Sequence, residues 1–120
     1  MKHEIDRLSR VIEILRKQLN KDLPSQHIAL LLAVARKPGI TMPQLCEQLD
    51  MPQGTVSRNV KLLSRFCVKN DKGDVVKKGY GLLETNQSPG NRYQLAVFLT
   101  AEGESLVRKL AREMEHENRN

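Results

Sequence analysis

Tryptophan is absent from this chain, and two tyrosines and two phenylalanines bring its aromatic share to only 3%. Single-stranded nucleic acids are held largely by bases stacking on exposed rings, so that mode of binding is disfavoured. Cysteine is as scarce. Cys46 and Cys67 show neither CxxC spacing nor a flanking histidine pair, and His3, His27 and His116 stand singly, so no metal is expected. Nucleophile-elbow, phosphate-loop and metalloprotease motifs are missing, and Gly73, Gly79, Gly81 and Gly90 are dispersed as turn residues are. Neither an enzyme nor a cofactor is expected. No apolar run approaches the roughly 20 residues needed to span a bilayer. The N-terminus, MKHEIDRLSR, lacks the apolar core of a signal peptide. A reducing, cytoplasmic setting without membrane attachment follows as the expectation.

What the chain has is positive charge. Its 120 residues, read as one domain, carry a formal +6, which favours a polyanionic partner. The excess is unevenly placed: residues 1–40 hold eight basic and four acidic side chains, 41–100 eight and five, and 101–120 four and five. The last segment, slightly acidic, is not expected to lie on a polyanion.

Residues 41–63, TMPQLCEQLDMPQGTVSRNVKLL, carry the most specific signal. Thr41 is a good N-cap and Pro43 sits in the first turn of a helix. Leu45, Cys46 and Leu49 form its apolar stripe, which assigns Cys46 to packing. Asp50-Met51-Pro52 ends it, since a residue before proline is pushed out of the helical region. A second helix buries Val56, Val60 and Leu63 and leaves Gln53, Thr55, Ser57, Arg58 and Lys61 outside. Between Met51 and Asn70 stand Arg58, Lys61, Arg65 and Lys69 and no acid, whereas a merely solvated helix face usually mixes signs. A short helix, a tight turn and a polar, basic second helix match the helix-turn-helix that enters a major groove, so duplex DNA is the expected partner.

Around this unit, residues 3–20 read as a helix with Ile5, Leu8, Ile12, Leu15 and Leu19 at spacings of 3, 4, 3, 4, an a/d seam suited to helix pairing in a dimer. A plain core helix is the alternative. Ser25 caps a mostly apolar helix through HIALLLAVA, the expected centre of the domain, and Ile40-Thr41 is at most a bridge-like edge strand. Residues 69–79 are rich in turn signals, with Val75-Val76 at most a short strand. Two β-prone segments then flank Ser88-Pro89-Gly90-Asn91 and read as a single hairpin wing. Thr100 caps a last helix to about residue 118, with Leu106, Leu110 and Met114 on its apolar stripe and Glu102 and Glu104 near its positive end. The fold class is mainly α with a small β-hairpin: a helix-turn-helix core over 24–99 between an N-terminal helix (1–22) and a C-terminal helix (100–118).

MPQLCEQLDMPQGTVSRNVKLL, the hairpin around SPGNR, and YQLAVFLTAEGESLV together resemble the winged helix-turn-helix regulators of the MarR type (multiple-antibiotic-resistance regulators). The resemblance covers roughly residues 5–115. It implies a prokaryotic or phage-encoded, nucleoid-associated homodimer, more in keeping with a repressor than an activator, that reads a palindromic operator. The chain departs from the pattern in its long link over 68–83 and in having one C-terminal helix where two are usual.

On this reading the helix from about Gln53 to Arg65 lies in the major groove. Gln53 reads adenine, Arg58 pairs with guanine or grips a phosphate, and Thr55 and Ser57 meet phosphates near the helix start. Lys61 and Arg65 lie over the backbone one and two turns on. The wing, 86–92, enters the minor groove with Asn91 and Arg92. Dimerisation falls to Ile5, Leu8, Ile12, Leu15, Leu19, Leu106 and Leu110. Relatives of this type often bind small lipophilic effectors, but the residues here make no case for one. Two alternatives stay open: a winged-helix module that binds proteins, and a plasmid or phage replication or partition protein.

Overall fold

A computed structural model describes residues 1–115. The chain runs α1 (Lys2–Gln18), α2 (Ser25–Arg36), β1 (Ile40–Thr41), α3 (Met42–Leu49), α4 (Gln53–Leu63), β2 (Phe66–Lys69), β3 (Val75–Lys78), β4 (Leu83–Ser88), β5 (Asn91–Leu99) and α5 (Ala101–Met114). It is the expected winged helix, mainly helical with a small antiparallel sheet. His116 and the expected helical residues 116–118 lie outside the described residues. Among the described residues, no helix is long and apolar enough to cross a membrane.

Periodicity explains the core. Leu30, Leu31 and Val34 of α2 meet Leu45 of α3, Val56 and Leu63 of α4, and Leu15 of α1, all buried. Each such side chain contributes about 1.5–3 kcal/mol when taken from water. The sheet, in order β1-β5-β4, closes the other side with Ile40, Leu83 and Val97. Thr41 and Gln44 form a reciprocal capping box at the start of α3: the Gln44 N–H donates to Thr41 Oγ1 at 3.3 Å, and the Thr41 N–H donates to Gln44 Oε1 at 3.0 Å. Asp50 ends α3 in the left-handed region, at φ 52°, which a short polar side chain tolerates better than a branched one.

The small-residue segment after Thr100 also has a physical reason. Thr100 Oγ1 accepts from the Gly103 N–H at 3.1 Å and donates to the Gly81 carbonyl at 2.6 Å. This cap draws α5 so close to the β4 approach that a Cβ at residue 103 would collide with the Leu82 carbonyl. Glycine is therefore required by space there.

Three expectations need correction. Ser25 is the first residue of α2, not its cap. Pro24 takes the cap position, and its carbonyl accepts from the His27 N–H at 3.0 Å. The second reading helix stops at Leu63 and not at Arg65. Ser64 turns extended, its hydroxyl donating to the Val60 carbonyl at 2.6 Å, while the Tyr80 and Leu82 N–H groups satisfy the carbonyls of Leu62 and Leu63. Finally, there are two hairpins rather than one. β2 and β3 pair with each other from Phe66↔Lys78 to Lys69↔Val75, so Cys67 sits exposed in a strand.

Candidate nucleic-acid interface

The outer face of α4 is set by what the inner face must do. Val56, Val60 and Leu63 are buried, so the positions opposite them, Gln53, Gly54, Ser57, Arg58 and Lys61, are exposed. Arg58 and Lys61, three residues apart, lie on the same outer side. The Arg58 guanidinium folds back towards the start of the helix, where Nη2 donates to Thr55 Oγ1 at 3.3 Å. It passes over Gly54, where a Cβ would lie 3.4 Å from Arg58 Nη1. The cap residue Pro52 offers no side-chain acceptor, so the first N–H groups of α4 remain open beside Arg58.

Asn59 faces the other way. It is buried, and its Nδ2 donates to Gln26 Oε1 of α2 at 3.3 Å and towards Met51 Sδ at 4.0 Å. This polar clasp fixes α4 on α2 from inside. Arg65 lies beyond the helix end, and its guanidinium covers Gly81. Lys61 Nζ stands 5.0 Å from the centroid of the Phe66 ring, within the range of a cation–π contact.

The wing is β4 and β5, joined by Pro89-Gly90 between the paired Ser88 and Asn91, with a register shift at Gln87/Ser88. Asn91 is partly spent on the turn, its Oδ1 accepting from the Tyr93 N–H at 2.9 Å. Arg92 lies 5.3 Å from the centroid of the Tyr93 ring and donates to its hydroxyl at 3.3 Å. Tyr93, 85% exposed, was not singled out from the sequence. The signal was its place two residues after the Gly90-Asn91 step, on the strand that leaves the turn.

The residues expected in a dimer seam divide. Ile5, Leu8 and Ile12 are exposed, at 56%, 51% and 37%, whereas Leu15, Leu106 and Leu110 belong to the chain's own core and Leu19 is half-buried. Leu8 borders an apolar groove of about 440 Å³ between α1, α2 and α5, lined also by Leu32, Val107 and Met114. Among the described residues, no three His, Cys, Asp or Glu side chains gather as a metal site would require.

A helix-turn-helix followed by a two-stranded wing, built on a hydrophobic centre at α2, defines a winged-helix protein. Residues 21–65 match the model of the MarR family. Solved structures agree on the fold. One, described as MarR, superposes with a TM-score of 0.59 at 22% identity, covering 89% of this chain and 69% of its own. The PcaV transcriptional regulator from Streptomyces coelicolor, solved with its natural ligand, gives 0.58 at 20% identity, with coverages of 92% and 69%. FabT from Streptococcus pneumoniae, solved in complex with DNA, gives 0.60 at 21% identity, with coverages of 82% and 59%. A sequence comparison with curated proteins gives no match. The chain carries the winged-helix fold of these MarR-type structures, and its match to the MarR family model lies in residues 21–65, the span of its helix-turn-helix.

Proposed function

We propose that this chain is a sequence-specific, double-stranded-DNA-binding transcriptional regulator that acts as a homodimeric repressor on a palindromic operator. The observation that carries this reading is the acid-free outer face of α4, where Gln53, Ser57, Arg58 and Lys61 stand together beside uncapped N–H groups. The same fold occurs in a protein solved with DNA. In this proposal α4 lies in the major groove. Gln53 reads adenine, Arg58 reads guanine or holds a phosphate, and Thr55, Ser57 and Lys61 hold the backbone. Arg65, from beyond the helix end, adds a phosphate contact. The wing segment 86–92 follows the minor groove with Asn91 and Arg92.

The dimer uses the exposed apolar row Ile5, Leu8 and Ile12 of α1, continued across the groove by Leu32 and Met114. Large exposed apolar side chains in one patch mark an association surface. Repression follows from occupancy alone, since a protein seated on a promoter excludes polymerase. The test is selection of the purified protein against random duplex DNA at about 0.15 M salt, where weak electrostatic binding is trimmed. Enrichment of a palindrome supports the reading. Salt-sensitive binding without an enriched sequence overturns it in favour of a protein-interaction module.

A further inference from the structure

The stretch between α4 and the wing is a built hairpin. Asn70 closes its far end: its N–H donates to the Asp74 carbonyl, its carbonyl accepts from the Gly73 N–H, and its Oδ1 accepts from the N–H groups of Lys72 and Asp74, at 2.9–3.0 Å. The near end is docked on the C-terminus of α4. There the Tyr80, Gly81 and Leu82 N–H groups donate to the carbonyls of Leu62, Ser64 and Leu63 at 3.0, 3.1 and 2.7 Å. Gly79, at φ 94°, lies so near the Ser64 carbonyl that a side chain would collide with it. A lone two-stranded ribbon is marginally stable in water, so these two closures set where it points.

Charge is sorted along the ribbon. Lys69, Lys77 and Lys78 occupy the strands, all exposed, and among the described residues none of them forms an ion pair. The acids of this segment, Asp71 and Asp74, sit in the closing turn. Lys69 and Lys77 lie on one face of the ribbon; Phe66 and its cross-strand partner Lys78 share the other, and Lys61 of α4 lies over the Phe66 ring. That face therefore adjoins the side of α4 that carries Arg58.

We propose that the β2–β3 hairpin is a second DNA contact, an arm whose strand lysines hold phosphates of the duplex flanking the bases met by α4. The proposal rests on the DNA-reading assignment above. Duplex DNA is favoured over an acidic protein because Lys69 continues the acid-free run of Arg58, Lys61 and Arg65 from Met51 to Asn70, and the pairing of β3 with β2 brings Lys77 and Lys78 back beside Cys67 and Phe66 at its near end. Lysine is a point charge without the planar fork that reads a base edge, so the arm lengthens and strengthens the contact without choosing sequence.

The test compares the wild type with the triple variant Lys69→Gln, Lys77→Gln and Lys78→Gln, and with a control variant of equal net charge that combines Lys17→Gln, Lys21→Gln and Lys109→Gln, exposed and away from α4. A thermal melt checks that each variant folds. Readouts are random-duplex selection, nuclease footprint and a titration from about 0.05 to 0.2 M salt. The triple variant should select the same sequence with a shorter footprint. Its log–log salt slope should be shallower by about two to three units per bound protomer, and its binding at least tenfold weaker. The control variant should keep the wild type's footprint and change the slope and affinity far less. An unchanged slope and footprint in the triple variant overturn the arm and leave the regulator reading intact. A wild type that selects no sequence overturns the regulator reading, and the arm then stands or falls on whether the triple variant flattens the slope on unselected duplex.

Discussion

On the proposed function, Arg58 is positioned before DNA arrives. Its guanidinium rests over Gly54 and donates to Thr55, near the open start of α4. Arg58→Ala should cost about 1–3 kcal/mol in binding to the selected duplex, as loss of a base-reading arginine does. Fluorescence anisotropy would show this against an unchanged circular dichroism spectrum. Gly103 acts on folding instead. Gly103→Ala sets a methyl against the Leu82 carbonyl, which already accepts from the Thr100 N–H at 2.9 Å. Urea denaturation should show a loss of about 2–3 kcal/mol, the range of an overpacked buried site. The positions of Gln53, Ser57, Arg58 and Lys61 were readable from sequence because Val56, Val60 and Leu63 fix the helix phase. The role of Asn59 was not, since its partner Gln26 lies 33 residues away. Arg65 was placed on the helix because nothing local shows that residues 80–82 return to close its end.

The elements differ in how they declare themselves. α3 is announced by Thr41 and Pro43, and its cap is a reciprocal pair with Gln44. Thr41→Ala should cost about 1 kcal/mol of stability, the usual worth of an N-cap hydroxyl, measurable as a shifted urea midpoint at constant slope. The wing was equally visible, because Pro89-Gly90 separates two β-prone runs. The β2–β3 hairpin was not. Its strands are four residues each and pair only with each other, so no face is fully buried and the alternation that marks a strand stays faint. Phe66 also extends the apolar spacing of α4 by one step, which blurs the boundary between helix and strand.

The whole molecule presents an apolar strip along α1 that its own core leaves uncovered. The 3-4 spacing of Ile5, Leu8, Ile12, Leu15 and Leu19 was plain in the sequence, yet spacing alone did not say which of them the chain buries for itself. Tertiary packing made that division: α5 lies along α1, taking Leu15 into the core and leaving Ile5 and Leu8 outside. Ile5→Glu combined with Leu8→Glu should give a folded monomer by light scattering. That variant should lose its advantage on a full palindrome while keeping the wild type's weak binding to a half-site.

Thr41 belongs to two parts of the molecule. It pairs with Ala96 in the wing strand β5 and, in the same step, caps α3 of the helix-turn-helix. With Ile40 paired to Val97 beside it, the wing strand is tied directly to the start of the helix-turn-helix. The chain is thereby a gauge of fixed span. On the proposed binding mode, one base pair inserted between the stretch under α4 and the stretch under the wing turns the second away by roughly 35°. With β5 and α3 tied at Thr41, the protein would have to release one groove to keep the other.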